Sequence, residues 1–253
     1  MAAPMTYEEF VSTLRGAGLT VIEVKTNGKS PKLHNRNSVG AWGPVNGVMI
    51  HHTVTSGTAS SVEICRAGYS GLPGPLCHGV IDKEGRVHVV GYGRTNHAGK
   101  GDRDVFNAVV AESYATNPPA DNAADMDGNP HFYGFECINL GNGKDPWPEA
   151  QLKAIERAAG AICQHHGWTE KSVIGHLEWQ PGKVDPRGFT MASMRARIKA
   201  FLHPAPKPKP KPPAPAPSRD DRQDARLEKL EDQVLFSHAN KVDTSRPKHQ
   251  LVW

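Results

Sequence analysis

Two periods of apolar residues alternate along most of the chain, and together they predict a layered arrangement of helices and strands. In TYEEFVSTLRGAG, Phe10, Val11 and Leu14 fall on one helical face, and Gly16 or Gly18 can close the helix. LTVIEV then reads as a strand, residues 25–44 as a long polar loop, and GVMIHHT (47–53) as a short β-prone run ending in two histidines. CHGVIDKEGRVHVVGYG (77–93) has two β-prone runs joined by a turn at Lys83 to Gly85, the pattern of a hairpin. Part of the sparse region 100–131 reads as a helix over 104–115, and FYGFECINL (132–140) as the next strand. PEAQLKAIERAAGAICQHHG is the clearest helix: Pro148 suits its first turn, Leu152, Ile155, Ala159 and Ile162 line one face, and Gly167 can end it. A last helix in this body, TMASMRARIKAFL, puts Met191, Met194, Ile198 and Phe201 inward. Strands interspersed with helices predict one α/β domain, a central mixed sheet flanked by helices, over residues 1–203.

The pattern breaks at PAPKPKPKPPAPAP (204–217), which has eight prolines and three lysines. It predicts an extended polyproline linker of roughly 3 Å per residue. Residues 218–253 form a tail with a short helix, capped by Ser218 and striped by Leu227, Leu230 and Val234, that must pack on a partner copy, the body or an external surface. Charge divides the same way: residues 1–203 carry 20 Lys+Arg against 19 Asp+Glu, and residues 204–253 carry 10 against 7. The near-neutral body lacks the basic footprint that binding to nucleic acid requires. No run approaches the roughly 18 apolar residues of a membrane span, and MAAPMTYEEF lacks the pattern of a classical signal peptide. Four cysteines without a C-x-x-C pair read as reduced packing residues.

Histidine is concentrated in the body, where 11 of 13 lie. Of His51 and His52, only one can face a given site, because strand side chains alternate. His176 precedes a Pro-Gly turn that can fold Asp185 back beside it, and two imidazoles with one carboxylate are ligands of an open, catalytic zinc site. By spacing alone, hydrogen-bonded surface histidines explain these residues equally well. Glu136 lies inside a predicted strand, where a carboxylate is costly unless paired or used. His97, in TNHAG, suits either substrate contact or loop capping. His78, His88, His165 and His166 read as structural.

The ordered set GVMIHHT, CHGVIDKEGRVHVV, TNHAG, GFECINLG and IGHLEWQPGKVDP resembles the zinc-dependent N-acetylmuramoyl-L-alanine amidases of the type-2 amidase and peptidoglycan-recognition superfamily, over about residues 20–203. The resemblance implies a mixed sheet with zinc in a groove that holds a glycan bearing a stem peptide. It implies His51, His176 and Asp185 as zinc ligands, Glu136 as the group that activates water, Lys183 as its electrophilic partner, and His97 at the groove. Cys77 stands where many members have a tyrosine next to the substrate, with Tyr69 and Tyr92 as alternative sources of a hydroxyl. The interval from His176 to Asp185 is one residue shorter than in aspartate-bearing members, which demands a tighter loop. The implied reaction is hydrolysis of the amide joining N-acetylmuramic acid to L-alanine.

With the spacer, the basic tail and no export signal, the expected setting is a phage endolysin, held in the host cytoplasm until it reaches the wall. Peptidoglycan is the expected partner, with anionic wall polymers as a second; oligomeric state stays open. A muropeptide-recycling amidase, a noncatalytic muropeptide-binding module and a structural zinc domain are the other readings.

Overall fold

The computed structural model describes residues 2–204 and 219–239. The chain divides into two units, Met1–Ala205 and Pro206–Trp253. Among the described residues of the first lie ten strands: β1 (Val21–Glu23), β2 (Gly47–His52), β3 (Gly68–Tyr69), β4 (Leu72–Pro73), β5 (Gly79–Ile81), β6 (Val87–Val89), β7 (Lys100–Gly101), β8 (Met126–Asp127), β9 (Phe132–Cys137) and β10 (Val173–Gly175). The helices are α1 (Tyr7–Gly16), α2 (Thr58–Ala67), α3 (Arg103–Ala111), α4 (Glu149–His166) and α5 (Met191–Leu202). Six strands form one mixed sheet in the order β1-β6-β5-β9-β2-β10, and the pairs β3-β4 and β7-β8 are small antiparallel ribbons. β5, β9, β2 and β10 run parallel, and β6 pairs antiparallel with β5. The expected hairpin is therefore β5–β6, turned at Gly85, whose N–H bonds the Asp82 carbonyl.

Local chemistry explains the helix ends. Thr6 caps α1 in a capping box with Glu9, which satisfies two backbone donors reciprocally. Gly167 ends α4 in the left-handed conformation at φ 71°, and Thr190 caps α5 by accepting from the Ser193 N–H. α3 runs over Arg103–Ala111, close to its expected range, with Asp102 as its cap. α2 had no counterpart in the sequence reading: Gly57 precedes it without a side-chain cap, and its buried residues are only Ser61, Val62 and Cys65.

Alternation in the central strands gives the sheet two different faces. Val48 and Ile50 of β2 with Tyr133 and Phe135 of β9 join Phe10, Leu14, Ile155, Ile162 and Ile198 in the main core beneath α1, α4 and α5. On the opposite face, Met49 and Phe132 pack with Val105, Val109, Ile174 and Trp179. His51 and Glu136 continue that second face and are register partners across β2 and β9. The parallel strands thus deliver their carboxyl-terminal residues to one sheet edge, where open α/β sheets bind ligands.

In the second unit, α6 (Arg219–Ala239) presents Leu227, Leu230 and Val234 at 57%, 52% and 56% exposure. Ser218 and most of the proline-rich linker lie outside the described residues, as do residues 240–253. Among the described residues, no helix is long and apolar enough to cross a membrane.

Candidate active site and metal centre

Gly175 pairs with Ile50, so the chain leaving β10 reaches the sheet edge beside His51. There it turns through a single 3-10 turn, His176–Glu178, and Asp185 returns to it: the Leu177 N–H bonds the Asp185 carbonyl at 2.7 Å, and the Lys183 N–H bonds Gln180 O at 3.1 Å. This closes the shorter loop that the sequence demanded. His51 Nδ1, His176 Nδ1 and Asp185 Oδ2 form a triangle with edges of 3.1, 3.1 and 3.2 Å. Among the described residues, these three are the only such group of ligand atoms.

The donor set fits a divalent cation. Tetrahedral bonds of 2.0–2.2 Å need ligand atoms about 3.3–3.6 Å apart, a few tenths of an ångström beyond the separations here. The outer hydrogen bonds also settle where the protons lie. His97 Nε2 is 3.0 Å from the Phe132 carbonyl, which can only accept, so His97 Nε2 carries the proton and Nδ1 is an acceptor. That acceptor lies 3.0 Å from His51 Nε2, which therefore donates and leaves the His51 Nδ1 lone pair facing Asp185. His176 Nε2, 3.1 Å from Gln180 Oε1, is placed the same way. Two lone pairs and a carboxylate oxygen converge with no proton between them, an arrangement that a cation stabilises. Burial pushes the His51 pKa down to about 4, which keeps its imidazole neutral as a metal ligand must be.

Glu136 stands at the same cavity with a different environment. The residue is partly exposed, yet its Oε2 is buried and has no hydrogen-bond partner. Burial, reinforced by the negative charge of Asp185 and opposed by Lys183, pushes its pKa up to about 8. A cavity of about 210 Å³ is lined by the three triangle residues together with His97, Glu136 and Lys183.

Other expected residues stand apart from the triangle. His52 lies on the opposite strand face, its Nδ1 accepting from the Arg187 N–H at 3.1 Å, yet it also lines the cavity. Cys77 does not line the cavity: it is fully buried with Val62, Cys65, Val80, Val90 and Ile138 under α2. Tyr69 does line it, whereas Tyr92 is buried in the core beside Phe10.

The sequence matches the family described as Amidase_2, N-acetylmuramoyl-L-alanine amidase, over residues 41–188. The chain belongs to this family. No curated protein matches it. Its fold is similar to the endolysin N-acetylmuramoyl-L-alanine amidase LysCS from Clostridium intestinale URNW, at 16% identity and TM-score 0.47, covering 71% of this chain and 95% of that one. AmpDh3 from Pseudomonas aeruginosa, solved in complex with anhydromuramic pentapeptide, has 20% identity and TM-score 0.43 over 60% of this chain and 59% of that one. The Staphylococcus aureus hydrolase AmiA, solved with its ligand, has 15% identity and TM-score 0.46 over 79% and 93%.

Several residues that build this candidate site were not singled out from the sequence. Glu178 accepts two hydrogen bonds of 2.8 Å from Arg195 of α5, and its Oε2 also accepts from the Gly175 N–H at 3.2 Å, which fixes the turn carrying His176. Gln180 contacts the outer nitrogen of His176. Trp179 is fully buried, and its Nε1–H donates to the Ala98 carbonyl at 3.0 Å, which ties the His176 turn to the loop of His97. Of these, Trp179 carried a readable signal, as a large aromatic residue inside an otherwise polar loop.

Proposed function

We propose that this amidase is a zinc enzyme that hydrolyses the amide between the lactyl group of N-acetylmuramic acid and L-alanine, with His51, His176 and Asp185 as ligands. The observation that carries the reading is the convergence of three ligand atoms, 3.1 to 3.2 Å from one another, beside a buried carboxylate oxygen with no partner. When bound, zinc supplies a Lewis acid for a carbonyl and lowers the pKa of a water molecule toward neutrality.

Glu136 is the proton carrier. A carboxyl group whose pKa lies near the working pH can take a proton from the attacking water and return it to the departing alanine nitrogen. Lys183, exposed at the cavity, brings an ammonium to the oxygen that becomes negative as the carbonyl is attacked, an interaction stronger in the transition state than in the ground state. The products are an intact glycan strand and a free stem peptide.

Residues 1–203 are the catalytic body, 204–217 a spacer, and 218–253 a segment that prolongs residence on the wall through anionic polymers or through self-association. A soluble catalytic body with such an appendage suits a phage lysis enzyme that is stored in the host and acts on the wall after release. A chain ending at Leu202 should keep its rate on a small muropeptide and bind intact walls less well at low salt, since exposed charges are screened over about 8 Å at physiological ionic strength.

The test is digestion of purified peptidoglycan by zinc-loaded protein, with new ends identified by mass spectrometry. Free muramic lactyl carboxyls and free L-alanine amines are expected. Binding without new ends would make it a noncatalytic module, and cleavage confined to soluble muropeptides would make it a recycling enzyme.

A further inference from the structure

We infer that His97 is a positioning residue that holds His51 in its metal-ligating tautomer, and that it is not a substrate contact. The inference rests on the zinc reading of the site and goes beyond it to the source of the site's preorganisation.

Both ring nitrogens of His97 are engaged inside the protein. Nε2 meets the Phe132 carbonyl and Nδ1 meets His51 Nε2, each at 3.0 Å, and the residue is only 7% exposed. A histidine that is to bind a sugar or a peptide by hydrogen bonding needs a free nitrogen, and His97 has none. The order of donors and acceptors runs one way. Phe132 O can only accept, His97 passes that constraint on, and the proton of His51 is confined to Nε2. A ligand in the wrong tautomer would have to lose or move this proton before its Nδ1 could bind a cation, and outer-sphere partners prevent that.

The surrounding chain is built to keep the ring in this place. Asn129 Oδ1 accepts from three successive N–H groups, those of His97 and Ala98 at 2.9 Å and that of Gly99 at 3.4 Å, which shapes the His97 loop around one oxygen. The Ala98 carbonyl is held by the buried Trp179 Nε1–H, so the loop is tied to the turn carrying the second histidine ligand. Gly134, in the centre of β9, leaves the space that the ring occupies: a Cβ there would lie 2.5 Å from His97 Nδ1. Gly134 is the register partner of Met49, two residues before His51 on the same strand face. The glycine of GFE and the histidine of HAG are thus two halves of one contact.

The zinc-loaded protein tests this in two ways. Long-range proton–nitrogen NMR of the histidine rings should show the proton on Nε2 of both His51 and His97; a proton on His97 Nδ1 would overturn the inference without any variant. Zinc affinity, measured by competition with a chromophoric chelator, should fall about 10- to 100-fold in His97→Ala. It should return close to wild type in His97→Gln, whose amide oxygen can accept from His51 and whose N–H can donate to Phe132. KM for a soluble muropeptide at saturating zinc should be unchanged. His78→Gln serves as a control: His78 is buried nearby and bonded to the Gly93 carbonyl and the Gly134 N–H, so this variant perturbs the same strand and should leave zinc affinity intact. Wild-type zinc affinity in His97→Ala, or a raised KM with zinc affinity intact, would overturn the inference. Failure of the unaltered protein to hold zinc at one per chain would instead overturn the zinc reading, and the inference with it.

Discussion

Two glutamates near the same sheet edge have opposite surroundings. Glu178 is engaged on both oxygens, by Arg195 at 2.8 Å twice and by the Gly175 N–H, in a pair that is 9% and 5% exposed at the side chains. Glu136, near the carboxyl end of β9, has a buried Oε2 with no hydrogen-bond partner. A buried polar group without a partner costs stability, so it persists where something other than stability maintains it. The satisfied carboxylate builds the turn that carries His176; the unsatisfied one faces the cavity and is available to a substrate or a water molecule.

The largest effect should come from removing the unsatisfied charge. Glu136→Gln should keep zinc and the fold while turnover falls about 10²- to 10⁴-fold, measured as release of stem peptide at constant metal occupancy. Near-normal turnover would take Glu136 out of the mechanism and dissolve the contrast.

Breaking the satisfied pair should do the reverse. Arg195→Leu leaves Glu178 buried without its partner and should cost about 3–5 kcal/mol in urea unfolding. The double variant with Glu178→Leu should recover part of that loss, because both charges then leave together. A single variant as stable as wild type would show that the pair does not hold the turn.

His78 is an intermediate case, satisfied only while neutral. Its Nδ1 accepts from the Gly134 N–H and its Nε2–H donates to the Gly93 carbonyl, and burial pushes its pKa down to about 4 from an ordinary 6.5. The unfolded chain therefore takes up a proton at higher pH than the folded one. The contribution is complete above pH 6.5 and is lost as pH falls from there toward 4, by on the order of 3 kcal/mol. Stability curves of wild type and His78→Gln should converge across this window, and parallel curves would assign the acid sensitivity to other groups.

Lys183→Ala should give a smaller effect on rate, about 10²-fold, with metal occupancy held constant. An unchanged rate would remove the ammonium from the stabilisation of the oxyanion.

Much of this arrangement was legible in the sequence because it is carried by local periodicity and ordered motifs. GVMIHHT and FYGFECINL marked β2 and β9, and their alternation brings His51 and Glu136 to one face. The amphipathic stripes of α1, α4 and α5 named the residues that fill the main core, Phe10, Leu14, Ile155 and Ile198 among them. The contacts that were not legible join residues far apart in sequence: Arg195 with Glu178 and the Thr116 carbonyl, Asn129 with the loop of residues 97–99, and Trp179 with Ala98. Such partners have no period. α2 escaped for a different reason, since TASSVEICRA lacks a side-chain cap and buries little apolar surface. For His97 the position was visible and the role was not, because one hydrogen bond to a backbone carbonyl decides its tautomer.

The central claim is that this amidase holds one zinc ion through His51, His176 and Asp185 beside an unpartnered Glu136. X-ray absorption at the zinc edge of the loaded protein tests it most directly. Nitrogen and oxygen ligands at about 2.0–2.2 Å, lost in His176→Ala and retained in Glu136→Gln, are predicted; sulfur ligands near 2.3 Å, or a spectrum unchanged by His176→Ala, would contradict it.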